Sequence, residues 1–81
     1  MQMSIANRLV QVIVVCESDF GYEVKHMEFS YYEEAKTYAE EEAKKAEQEY
    51  GTIVNYDTNV FATLENHFED WRGFIEIIDI Y

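Results

Sequence analysis

Residues 30–51 read SYYEEAKTYAEEEAKKAEQEYG, and the fold turns on this stretch. Tyr32, Ala35, Ala39, Ala43, Ala46 and Tyr50 recur at spacings of three and four, which lays them along one stripe of an α-helix. Four alanines in that stripe let the helix axis approach a sheet closely, with tyrosines at either end. Ser30 and Glu33 have the spacing of a capping box, so the helix is expected to open at Ser30. Gly51 is the expected stop, because glycine takes the left-handed conformation that ends a helix at least cost.

On either side of the helix the period changes to that of strands. Residues 8–16 (RLVQVIVVC) are dense in β-branched side chains and apolar on both faces, which predicts a central strand. Residues 17–21 (ESDFG) have turn chemistry, and residues 22–29 alternate, giving a β-hairpin with a loop of about five residues. Residues 52–56 read as a short strand, and Asp57-Thr58-Asn59 as a turn or helix cap. Residues 60–68 fit two periods: Phe61, Leu64, Phe68 and Trp71 fall at helical spacing, while Val60, Ala62, Leu64 and Phe68 fit a strand face. The four large apolar residues favour a short helix there. Residues 70–73 read as a turn, and residues 74–81 (FIEIIDIY) as a two-sidedly apolar strand lying beside the first. The expectation is one small α+β domain over residues 1–81. It has an antiparallel sheet of three or four strands with the long amphipathic helix on one face.

The chain carries 17 Asp and Glu against 6 Lys and Arg, a formal net charge of −11. Affinity for nucleic acid is dominated by phosphate neutralisation, so this balance excludes direct DNA or RNA binding as well as anionic membrane surfaces. It draws the chain instead towards basic protein surfaces. Hydrophobic residues make up 48%, enough to read the chain as folded despite its charge. Cys16 is the only cysteine, so no internal disulfide forms. No apolar run approaches the ~20 residues of a membrane span, and residues 1–6 lack a signal-peptide pattern. The expected location is the cytoplasm.

The candidate partner-binding residues are acids in two groups. Glu33, Glu34, Glu40, Glu41 and Glu47 lie on the helix, interleaved with Lys36, Lys44 and Lys45; Glu40–Lys44 and Glu41–Lys45 have favourable i,i+4 pairing. Carboxylates three or four apart on a helix, or two apart on a strand, sit roughly 5–7 Å from one another, comparable to successive phosphates of a nucleic-acid strand. The alternative for this face is a solvated, self-paired helix surface. Glu17, Asp19, Glu69 and Asp70 form the second group, in turns beside Phe20 and Trp71. These two aromatics either anchor a partner or cover the edge of a small core.

No catalytic, cofactor or metal site is expected. Glu76 and Asp79 lie on opposite faces of the last strand and cannot converge as an acid/base pair. Cys16, His26 and His67 have no metal-ligand spacing, and no calcium-loop motif occurs. Seven tyrosines either rim the core or supply interface area.

In size, in a net charge of −11, and in having one α+β domain with the Glu-rich segment 33–50, the chain resembles a class of small acidic bacteriophage proteins. These inhibit host nucleic-acid enzymes and include the anti-CRISPR and anti-restriction types. The resemblance implies binding to a basic nucleic-acid groove on a host enzyme, blocked by charge mimicry; it carries over no individual residue. The alternative is a small accessory domain that self-associates as a homodimer, with FIEIIDIY as a pairing edge strand.

Overall fold

The computed structural model describes residues 9–80. Arg8 and Tyr81, at the ends of the expected first and last strands, lie outside the described residues. The chain runs β1 (Leu9–Ser18), β2 (Gly21–Phe29), α1 (Tyr32–Tyr50), β3 (Ile53–Tyr56), β4 (Ala62–Asn66) and β5 (Trp71–Ile80). The five strands form one sheet in the order β2-β1-β5-β4-β3, with every neighbouring pair antiparallel. The α+β class and the single long helix hold, but the sheet has five strands where three or four were expected.

The fifth strand comes from residues 60–68, which do not form a helix. Ala62, Leu64 and Asn66 are buried while Thr63 and Glu65 are exposed, so the segment follows the period of two. Phe68, needed for the helical stripe, is 86% exposed. Trp71, Arg72 and Gly73 belong to β5, and the turn occupies residues 67–70 instead of 70–73. Asp57-Thr58-Asn59 is a turn: Asn59 N–H donates to Asp57 Oδ1 at 2.7 Å, and Asp57 N–H to the Phe61 carbonyl at 3.1 Å.

Two further expectations are corrected at element ends. Ser30 does not cap the helix; Tyr31 is the cap residue and makes no side-chain capping bond. Glu33 therefore occupies the second helical position and cannot complete a capping box. The first hairpin is tighter than expected, since Ser18 pairs with Gly21 and only Asp19 and Phe20 turn the chain. Gly21 there takes φ 124, a conformation open to glycine and strained for other residues. Gly51 closes the helix as expected, at φ 67, its N–H turned back to the helix carbonyls.

The core lies between α1 and one sheet face. Val10, Val12 and Val14 of β1, Ile75 of β5 and Leu64 of β4 meet Ala35, Ala39 and Ala43, each at most 6% exposed. The alanines remove side-chain bulk, so the sheet itself is the helix's packing partner. β1 and β5, like the shorter β4, pair on both sides and lie inside the sheet. That position explains why both are apolar on two faces, and it removes the idea that FIEIIDIY is a free edge; the edges are β2 and β3.

Candidate functional site

Strand register brings one group of sequence-predicted acids together. Ser18 pairs with Trp71 and Glu17 with Arg72, while Asn66 pairs with Trp71, so the β1–β2 turn and the 67–70 turn share one end of the sheet. Glu17, Asp19, Glu69 and Asp70 are all exposed there. The helix C-terminus reaches the same end. Asn66, 2% exposed, donates from Nδ2 to the Tyr50 carbonyl at 2.8 Å and to Thr52 Oγ1 at 3.1 Å. Its Oδ1 accepts from the N–H of Phe68 at 3.0 Å and of Glu69 at 2.7 Å. One buried amide thus ties the helix end to the turn that carries Glu69 and Asp70, and Asp70 takes a left-handed φ of 57 to close that turn.

The helix acids are only partly joined to this end. Glu47 lies in the last turn of α1, beside Glu49, with no basic residue in that turn. Both acids meet the negative end of the helix dipole, an arrangement that costs stability. Glu33 and Glu34 sit in the first turn, at the far end of a helix about 28 Å long. Glu40 and Glu41 lie between. All five predicted helix acids are exposed, and Glu33, Glu40 and Glu47 fall seven apart, about 10.5 Å along the axis. The expected pairs Glu40–Lys44 and Glu41–Lys45 do not close to within ion-pair distance. The described residues instead pair Lys25 with Glu42 at 2.9 Å and His67 with Glu65 at 3.8 Å.

Two clefts flank the shared strand end. The larger, about 570 Å³, opens between the β1–β2 hairpin and the C-terminal half of α1. Val14, Ala46 and Leu64 contribute apolar surface to it, Trp71, Tyr50 and Tyr22 aromatic surface, and Glu17, Glu23 and Glu69 negative charge. The smaller, about 430 Å³, is polar and bordered by Glu17, Asp19, Glu65, Asp70, His67 and Arg72. Trp71 borders both clefts and also packs half-buried against the core, so it serves core and surface together. Phe20 does not cover a core edge: it is fully exposed at the hairpin tip.

The larger cleft has its own electrostatics. Burial raises the Cys16 thiol pKa, Glu23 raises it further, and Lys25 partly offsets both, so the thiol is protonated at neutral pH. Its hydrogen bond to Glu42 raises the Lys25 ammonium pKa and holds it charged. Tyr38, against Phe29 at a centroid distance of 5.5 Å, is raised by burial and then by Glu42. Among the described residues no group of three or more His, Cys, Asp or Glu could hold a metal ion.

Tyr22, Glu23, Lys25, Glu42 and Tyr50 are absent from the residues expected at the site, although they line its main cleft. The hairpin register is the signal for two of them: with a two-residue turn, Glu23 and Lys25 face the same side as Cys16 and Val14. No helix of the described residues is long and apolar enough to cross a membrane. Comparison of the chain with protein-family models, with curated proteins and with solved structures finds no match.

Proposed function

We propose that this chain is a non-enzymatic, acidic protein-binding module: an inhibitor that mimics nucleic-acid charge and blocks a basic groove on a nucleic-acid enzyme. The observation that carries this reading is the unanswered charge. Glu33, Glu34, Glu40, Glu41 and Glu47, with Glu17, Asp19, Glu69 and Asp70, are exposed and form no ion pair among the described residues. A surface serving only its own helix would pair these acids with the lysines beside them. Glu47 and Glu49 sit where helix stability disfavours them, which fits a charge kept for an outside partner. Lys36, Lys44 and Lys45 interrupt the helix face, and no basic residue lies in its last turn.

The experiment is affinity capture on the immobilised chain, washed at stepped salt with and without duplex DNA as competitor. The reading expects nucleic-acid enzymes to be retained at low ionic strength, released as salt rises, and displaced by DNA. A captured set indifferent to both salt and DNA would overturn it.

Self-association is the second reading, and one observation favours it. The sheet face opposite α1 carries half-buried Ile13, Val15, Phe74 and Ile78, and no other described strand or helix lies over it. Sedimentation at high protein concentration separates the two readings, since a strict monomer removes the homodimer.

A further inference from the structure

We infer that the larger cleft is an arginine pocket, taking the side chain of one arginine from a basic segment of the partner protein. This rests on the reading of the chain as a binder of basic protein surfaces, and it names the anchor within that surface. Three features of the cleft select the occupant. Val14, Ala46 and Leu64, each at most 9% exposed, form an apolar floor that an aliphatic stem can cover, and Arg and Lys both carry such a stem. Trp71, Tyr50 and Tyr22 then offer aromatic faces, on which a planar guanidinium stacks better than a compact ammonium. Glu23 and Glu69 supply carboxylates that accept the guanidinium fork.

Of the two remaining acids of the cleft, Glu17 adds to the negative rim and Glu42 does not compete for the guest. Glu42 is already bound to Lys25 at 2.9 Å, and that pair fixes one side of the cleft. The exposed ring of Phe20 stands at the hairpin tip beside the opening, where it can cover the backbone of an inserted segment. Lys45 also lines the cleft, but with Lys25 held by Glu42 the three carboxylates Glu17, Glu23 and Glu69 outnumber it, so a cation is favoured over an anion. A purely apolar ligand would strip water from the rim acids without replacing it.

Hexa-arginine and hexa-lysine peptides, equal in charge, test this at low salt. Trp71 is the only tryptophan, so its fluorescence and its indole N–H resonance report on the strand end where the two clefts meet, and the double variant at Tyr22 and Glu23 assigns the signal to the larger one. Hexa-arginine should bind about threefold tighter than hexa-lysine and shift the Trp71 indole signal. The double variant Tyr22→Ala, Glu23→Gln should bring both peptides to the same affinity. Both residues are exposed, so its unfolding midpoint should match that of the parent chain. Glu33→Gln with Glu34→Gln, at the far helix end, should weaken both peptides equally and leave the arginine preference intact.

Equal affinities in the parent chain, or an unmoved Trp71, would overturn the pocket while leaving the charge-mimic reading standing. Failure of both peptides to bind at low salt would sink both.

Discussion

Asn66 donates its side-chain amide to the carbonyl of Tyr50 across 2.8 Å, joining the end of the only helix among the described residues to the turn between β4 and β5. The same side chain satisfies Thr52, itself 3% exposed, and two turn N–H groups. Replacing it leaves several groups without partners in a place water reaches poorly. Asn66→Ala should therefore cost about 2–3 kcal/mol, read from urea unfolding. It should also loosen the 67–70 turn, visible as faster amide exchange at Phe68 and Glu69. An unchanged midpoint would show that the hub is dispensable.

Gly73 of β5 lies against β1 so closely that a Cβ there would overlap the carbonyl oxygen of Val15 and come within 3.0 Å of Cys16 Cα. The obstacle is backbone in a central strand, which cannot rotate aside. Gly73→Ala should cost about 3 kcal/mol or more, lowering the thermal midpoint by roughly 12 °C or more. Gly21→Ala meets open space and is opposed only by its φ of 124, so about 1–2 kcal/mol is expected. Equal losses at the two sites would contradict the steric origin assigned to Gly73.

These two residues mark where the sequence is legible and where it stops. Helix α1 is plain because four alanines and Gly51 satisfy one period and one stop signal together. β1 and β5 are equally plain, because two-sided apolarity marks central strands. The β1–β2 register is harder, since Glu17–Gly21 all have turn character. A five-residue loop would pair Cys16 with Tyr22, whereas the observed turn pairs Cys16 with Glu23. That one-residue slip decides whether Glu23 and Lys25 face the helix, so it decides the make-up of the cleft. Around β4 the aromatics Phe61, Phe68 and Trp71 follow helical spacing with Leu64, yet within the strand the buried residues are Ala62, Leu64 and Asn66. A buried asparagine carries no periodic signal, since its value lies in partners brought from distant segments.

Alkaline pH should weaken the fold through three groups near the seam of α1 with β1 and β2. Cys16, Lys25 and Tyr38 all have raised pKa values, Cys16 and Tyr38 mainly through burial, Lys25 through its bond to Glu42. Each holds its proton more tightly folded than unfolded, so in the titration window the native state binds more protons and stability falls with rising pH. The loss begins above about pH 8.5 with the thiol and continues above about pH 10 with the phenol and ammonium. Lys25→Met removes the Lys25 share, which is about 1 kcal/mol or less for a pair whose lysine is half exposed. Cys16→Ser should blunt the earliest part of the decline. Urea midpoints from pH 7 to 10.5 provide the check, and a flat profile would contradict the shifts.

The two ends of α1 separate stability from binding. Glu33 and Glu34 lie at the positive end of the helix dipole and stabilise it; Glu47 and Glu49 lie at the negative end and oppose it. Glu47→Gln with Glu49→Gln should raise stability by about 0.3–1 kcal/mol per residue at low ionic strength. If those acids serve a cationic partner, the same variant should bind hexa-lysine more weakly and with a shallower salt dependence. Glu33→Gln with Glu34→Gln should lose stability and binding together. The C-terminal variant is the sharper test, because its two effects have opposite signs. A chain that gains stability there and keeps full affinity for the basic peptide would show that the carboxylates at the turn end have no part in recognition.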